Sequence, residues 1–248
     1  MFARGLEPCL AADGVVRLGT DLVAWFLVED GGRVVVVDAG LPGYRPQLEP
    51  GLALLGRSLE DVAAVVLTHS HGDHIGAAAA LQREVGVPVH VHEAEADAVR
   101  TAASIGKSEA AQAPYLRHAH AWRLLAHFRE CGRAEPAPEV EPFADGDVLP
   151  GGLRAIHTGG HTPGHCVFHL EPRGVLFAGD LICTRNPLTG SRGPELVPRP
   201  LNVSSGQMLA SLERIEDLDV RHLLVVHGPP WTGDIADAVA RVRTIGPT

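Results

Sequence analysis

The run Val62-Ala63-Ala64-Val65-Val66-Leu67 leads without a break into Thr68-His69-Ser70-His71-Gly72-Asp73-His74, so four potential metal ligands follow directly on an apolar segment. The valine-rich segment reads as a short strand buried on both faces. Imidazole nitrogen and carboxylate oxygen are the donors that zinc and other divalent first-row ions prefer. In a turn leaving the strand, His69 and His71 can converge on one ion, while Asp73 and His74, at the start of the next helix, point to a neighbouring position. A single histidine near a strand end is ordinarily a hydrogen-bonded structural residue, and His90, His92 and His222 are read that way. His118 and His120, two apart in a helical stretch, share no face. The cluster at 69–74 differs because so many polar groups buried together are costly without a partner.

Outward from this point, residues 22–29 and 33–38 read as strands joined through Asp30-Gly31-Gly32, a hairpin signal, with a helix over 45–56. Downstream, an alanine-rich helix over 75–85 is stopped by Gly86 and Pro88, then comes a strand over 88–92 and a helix over 93–103. Residues 104–140 break the rhythm and read as a helical insertion, with Tyr115, Trp122 and Phe128 in a helical stretch over 110–131 and a Pro/Glu-rich linker over 133–142. Strands follow over 148–149, 153–158, 165–170 and 175–178, then a loop over 183–200. A helix over 204–218, a strand over 223–226 and a helix over 234–244 close the chain. The order suggests one α/β domain of two similar halves, each a sheet with helices on its outer face.

One cluster of four cannot fill two coordination spheres. Three further candidates stand where strands end: His161 in Gly160-His161-Thr162-Pro163-Gly164-His165, Asp180 in Phe177-Ala178-Gly179-Asp180, and His227 in Val226-His227-Gly228. Each has glycine beside it, which lets the backbone turn sharply. The set divides into His69, His71 and His161 for one ion and Asp73, His74 and His227 for another, with Asp180, whose two oxygens can bridge, between them.

With these motifs in this order, the chain resembles the metallo-β-lactamase fold superfamily from the hairpin at Leu22 to His227. The resemblance implies a four-layer αβ/βα sandwich with the site along one edge, and two divalent ions, zinc first and iron or manganese next, on the seven residues named. Two such ions roughly 3.5–4 Å apart can hold a hydroxide between them and make a nucleophile at neutral pH. Asp180 would fix their separation and Asp73 would orient the hydroxide. His157, Thr162 and His165 are candidates for supporting the ligands. Motifs of this kind specify the fold strongly and the substrate weakly.

Departures from subfamily patterns narrow the field. β-Lactamases of this fold usually carry Cys or Ser where Asp180 stands, quorum-quenching lactonases place a tyrosine where Cys183 stands, and flavodiiron reductases place a glutamate where His71 stands. The expected function is therefore a dinuclear hydrolase of an ester, lactone, thioester or amide bond in a small molecule. A mononuclear iron persulfide dioxygenase-like oxidoreductase is the alternative, and a phosphodiesterase a further one. Arg185 and Asn186, just past Asp180, and Trp122 in the insertion are candidate substrate contacts; Cys166 and Cys183 are read as packing residues.

Composition agrees. The 248 residues carry 21 Lys+Arg against 30 Asp+Glu, a net charge of −9, and a single lysine, Lys107, with no basic run. Nucleic acid is an unexpected substrate for such a surface. No apolar run approaches the roughly 20 residues a spanning helix needs. The four cysteines, Cys9, Cys131, Cys166 and Cys183, contain no Cys-x-x-Cys pair, and with an N-terminus lacking a secretory apolar stretch they point to a cytoplasmic protein.

Overall fold

Alternation along the valine-rich strands decides how the layers stack. In the computed structural model, which describes residue 5 and residues 7–103 and 105–248, strands β3 (Ala24–Asp30) and β4 (Arg33–Val37) turn on Gly31 and Gly32. Their φ values of 54° and 90° give the left-handed pair that a two-residue hairpin requires. Ala24, Phe26, Val28, Val35 and Val37 face one way, Trp25, Leu27, Val34 and Val36 the other, and both sets are buried. A sheet apolar on both faces must be covered on both.

The first sheet has the order β1-β2-β3-β4-β5-β6-β7, with β1 (Cys9–Ala12), β2 (Val15–Gly19), β5 (Val62–Val66), β6 (Val89–His92) and β7 (Val140–Phe143). It is antiparallel from β1 to β4 and parallel from β4 to β7. Helices α1 (Leu48–Leu54), α2 (Ala78–Val85), α3 (Ala96–Thr101) and α4 (Ala119–Cys131) supply the apolar cover of its outer face through Leu48, Leu52, Leu81, Val99 and Leu124.

The second sheet is built from β8 (Val148–Leu149), β9 (Leu153–His157), β10 (Cys166–Leu170), β11 (Val175–Phe177) and β14 (His222–Leu224), in the order β14-β11-β10-β9-β8. Only β11 and β14 run parallel in it. Phe168, Phe177 and Leu224 meet Phe26, Val35 and Val66 between the sheets, and the Phe26 and Phe177 rings lie edge to face at 5.4 Å. On its outer face Val167, Leu176 and Leu223 pack on Met208 of α5 (Ser205–Ser211), on Leu212 just past it, and on Val239 and Val242 of α6 (Ile235–Ile245). Four layers result, the αβ/βα sandwich the sequence predicts.

Three expectations are corrected. The expected linker over 133–142 ends in an edge strand, β7, whose Val140 and Phe143 register against Val89 and His92. The expected loop over 183–200 holds a hairpin, β12 (Ile182–Arg185) with β13 (Arg192–Leu196), packed beneath α6. Short strands β1 and β2, which precede the first expected strand, extend the first sheet.

Candidate metal centre

Every ligand candidate lies on a loop that leaves a strand at one edge of the sandwich. The 68–74 loop follows β5, residues 158–165 join β9 to β10, Gly179 and Asp180 follow β11, and His227 follows β14. The sheets are stitched together here by Cys166 N–H donating to Thr68 O at 2.9 Å and Ala24 N–H to Val226 O at 2.9 Å. Gly179, at φ 49°, sits where a Cβ would come within 2.7 Å of His165 Nε2 and 2.9 Å of Thr68 Cβ, so only glycine fits without displacing either.

The seven candidates come together in the predicted partition. His69, His71 and His161 present nitrogens to one point, Asp73, His74 and His227 converge on a second, and Asp180 joins His69 and His74 between them. His161 Nε2 lies 3.2 Å from His69 Nε2 and 2.9 Å from His71 Nδ1. His74 Nε2 is 3.4 Å from Asp180 Oδ1, while His161 Nε2 and His227 Nε2 are each 3.4 Å from Asp180 Oδ2. His227 Nε2 is also 3.6 Å from Asp73 Oδ2.

Hydrogen bonds on the far side of four of the five rings fix which nitrogen faces the centre, while His71 turns Nδ1 inward. His74 Nδ1 donates to Asp38 Oδ2 at 2.9 Å, His161 Nδ1 to Asn202 Oδ1 at 2.9 Å, and His227 Nδ1 to the Leu22 carbonyl at 2.8 Å. Thr68 Oγ1 donates to Asp38 and accepts from His69 Nδ1 at 3.1 Å. Each of these rings therefore turns Nε2 inward. Asn202 is itself oriented, because its Nδ2 donates to Val197 O at 2.7 Å and to Ser205 Oγ at 2.9 Å.

Asp38 and Glu95 are supports that the sequence reading did not single out. Asp38 is a buried carboxyl at φ 56°, a strained conformation for a side chain other than glycine. Besides His74 it holds Thr68 N–H at 2.9 Å. The signal available was a carboxylate directly after the four valines of β4 and followed by Ala39-Gly40. Glu95, fully buried, accepts from Ser70 N–H at 3.2 Å, from the Ser70 hydroxyl, and from Gly164 N–H at 2.7 Å. It ties the 68–74 loop of one sheet to the 158–165 loop of the other. His165 does support the centre, as expected: Nε2 accepts from Asp180 N–H at 2.9 Å, and Nδ1 donates to Thr158 Oγ1 at 2.9 Å. His157 bonds the Pro163 carbonyl at 2.8 Å and stacks on His92. Thr162 is buried beside His161 with its hydroxyl unpartnered.

Electrostatics divides the cluster. Burial pushes His69, His71 and His161 towards the neutral form, His161 down to about 3. Burial acts the same way on His74 and His227, but the carboxylates of Asp38 and Asp180 around His74, and of Asp180 and Asp73 around His227, outweigh it. His74 is held well above the usual range, and His227 is lifted to about 9. Burial disfavours the Asp180 carboxylate, yet His227 and His74 hold its pKa well below the usual range.

These residues fit metal ions. His74 Nε2 and Asp180 Oδ1 are buried and make no hydrogen bond, and three imidazole nitrogens crowd together with their lone pairs inward. Zinc–nitrogen bonds of about 2.0–2.1 Å in a tetrahedron give ligand–ligand edges of roughly 3.3 Å, close to the observed 3.2 Å between His161 and His69.

Residues 18–227 match the sequence profile of the metallo-beta-lactamase superfamily. The chain belongs to that superfamily. A solved metallo-beta-lactamase family protein from Thermus thermophilus is 28% identical, covers 94% of this chain and 79% of its own, and superposes with a TM-score of 0.66. Probable metallo-hydrolase YybB of Bacillus subtilis (strain 168) is 27% identical over 170 residues, 68% of this chain and 66% of its own length, so the match spans just under two thirds of that relative. An acyl-coenzyme A thioesterase of Bos taurus is 33% identical over 172 residues, 63% of this chain and 57% of its own.

In this superfamily member a cavity of about 250 Å3 lies over the cluster. Its polar wall is His71, Asp73, His161, Asp180 and His227, and its apolar wall includes Leu124 and Phe128 of α4 with Pro187 and Leu201. The three expected substrate contacts do not border it. Trp122 is 57% exposed and its indole N–H donates to Leu116 O at 2.7 Å. Asn186 is fully buried as a turn residue, its Oδ1 accepting from Leu188 and Thr189 N–H at 3.0 and 2.9 Å and its Nδ2 donating to Glu195 at 3.1 Å. Arg185 leans on Asp21 at 3.6 Å. Of the insertion's aromatics only Phe128 lines the cavity; Tyr115 borders a separate one beside Arg199 and Thr248.

Proposed function

We propose that the protein is a dinuclear metal-dependent hydrolase cleaving the ester, lactone, thioester or amide bond of a small acyl compound. The observation that carries this is the partition of seven donors, six buried and His71 half-buried, into two groups joined by Asp180, beneath a cavity with an apolar wall. His69, His71 and His161 would hold one divalent ion and Asp73, His74 and His227 the other, with zinc the expected metal for such nitrogen and carboxylate donors.

When bound, the ion pair supplies a water acidified to near neutral pH and a Lewis acid for the scissile carbonyl. The chain does the rest. Asp180 Oδ2 lies 3.4 Å from His161 of one group and from His227 of the other, Oδ1 lies 3.4 Å from His74, and His165 steadies the Asp180 backbone N–H. Asp73 lines the cavity, where its carboxylate would orient the attacking water. Leu124 and Phe128 exclude solvent from the reacting atoms and offer an acyl chain an apolar surface. That relation to a protein named as a thioesterase, together with the apolar wall, favours acyl over phosphate esters. A net charge of −9 argues against a nucleic-acid substrate, and four free cysteines support a reducing compartment.

Metal analysis after purification should give near two zinc equivalents, with hydrolysis of aryl and thioester substrates abolished by chelator and restored by zinc. One iron per chain with oxygen uptake on a persulfide would replace this reading by a mononuclear dioxygenase. Turnover confined to phosphate diesters would replace it by a phosphodiesterase.

A further inference from the structure

Beside the cavity over the cluster lies a larger one of about 670 Å3, and Phe128, His71 and Gly72 border both. Its lining passes from the ligand loop across Leu41, Ile75 and Ala102 to the end of α4, where Arg129 and Arg133 border it. No carboxylate lines it, in a chain whose acidic groups outnumber its basic ones. By contrast, Arg83, Arg123 and Arg214 each lie within 2.9 Å of a carboxylate. Arg129 and Arg133 make no ion pair or hydrogen bond among the described residues, and both are exposed.

We propose that Arg129 and Arg133 form an anion-binding subsite, so that the compound hydrolysed carries a carboxylate or phosphate separated from its scissile bond by an apolar segment lying on Leu41, Ile75 and Phe128. The proposal rests on the hydrolase reading above. Guanidinium groups recognise carboxylate and phosphate through paired N–H donors. Two of them beside an otherwise apolar cleft give an anionic ligand a local attraction that the overall charge of the chain denies it. The α4 macrodipole favours Arg129 in the last helical turn. It does not account for Arg133, which lies beyond Gly132 and outside the helix.

The test compares wild type with the double variant Arg129→Gln/Arg133→Gln on two matched pairs. One is 4-nitrophenyl hydrogen glutarate against 4-nitrophenyl pentanoate, the other S-butyryl-4′-phosphopantetheine against S-butyryl-pantetheine. In wild type one charged member should exceed its neutral partner about tenfold or more in kcat/KM. The double variant should lose that preference through KM while hydrolysing the neutral members within about twofold of wild type. The pair showing the preference tells carboxylate from phosphate. Absence of a preference, or its survival in the double variant, overturns the proposal. If wild type hydrolyses neither neutral member nor either charged one, the hydrolase reading fails. Calorimetric titration with glutarate and with 4′-phosphopantetheine then decides: binding weakened tenfold in the double variant upholds the subsite, and unchanged or absent binding overturns it.

Discussion

His74 Nδ1 and Asp38 Oδ2 lie 2.9 Å apart, both fully buried, and this contact turns His74 Nε2 towards Asp180. Asp38 reaches the position from β4, a neighbour of the strand that carries His74's loop, and keeps a strained backbone to do so. Partners of this kind typically contribute 10–100-fold to metal affinity. Asp38→Asn retains the size but presents no full charge to the imidazole. Metal affinity, read by competition with a chromogenic chelator, should fall by about 10–100-fold with the circular dichroism spectrum unchanged. Wild-type affinity would show that His74 needs no such support.

Asp180 touches both donor groups, so its loss should act on both. Asp180→Asn keeps one acceptor oxygen and exchanges the other for an amide. Turnover should fall on the order of 100-fold or more, and retained zinc, measured after dialysis, should drop below the wild-type equivalents. Full turnover in this variant would reduce Asp180 to a bystander.

Glu95 is a different kind of support, because it meets no ligand side chain. It joins Ser70 of one loop to Gly164 of the other, and through them the two halves of the sandwich. In Glu95→Leu the N–H groups of Ser70 and Gly164 are left buried without an acceptor, at about 1–3 kcal/mol each. Urea denaturation should show a loss of about 2–5 kcal/mol, measured on metal-free protein so that ligand binding does not mask it.

The cluster of candidate ligands was legible because its chemistry is concentrated: four donors in six residues after an apolar strand, then three more beside glycines at strand ends. The supports were not, because Asp38, Glu95 and Asn202 are single polar residues whose role depends on what the fold brings to them. Trp122 was misplaced through helical phase. Six residues separate it from Phe128, a rotation of about 120° on an α-helix, so both cannot face one cavity. The β12–β13 hairpin stayed hidden because glycine and proline occupy β13 at Gly193 and Pro194, residues that weaken a strand signal. β1 stayed hidden because four residues, Cys9-Leu10-Ala11-Ala12, carry too short a pattern.

Gly179→Ala tests the close approach behind Asp180. The added methyl meets His165 Nε2 and Thr68 Cβ, the atoms that hold Asp180 N–H and the Asp38–His69 network. Together with the φ of 49° this should cost about 1–3 kcal/mol in stability. Because the strain falls behind the ligands, retained metal should fall as well. A variant as stable and as metal-rich as wild type would contradict the packing described here.

Acid should loosen α4 before it unfolds the sandwich. Arg123 of α4 forks onto Asp21 with contacts of 2.7 and 2.8 Å. Burial raises the Asp21 pKa, but the hydrogen bonds and charge of Arg123 outweigh it, so the folded value lies below the usual one. A depressed carboxyl contributes stability that is complete above its unfolded pKa of about 3.9 and is lost as pH falls through the folded value. At a partly exposed site the contribution is no more than about 1 kcal/mol. Protection of the amides of residues 119–131, taken relative to their intrinsic exchange rates, should therefore be high at neutral pH and fall below roughly pH 4. Asp21→Asn should exchange faster already at neutral pH, with a flatter dependence on acid. Identical exchange profiles in the two proteins would mean that the apolar contacts of Leu124 and Phe128 alone hold α4 over the candidate metal centre.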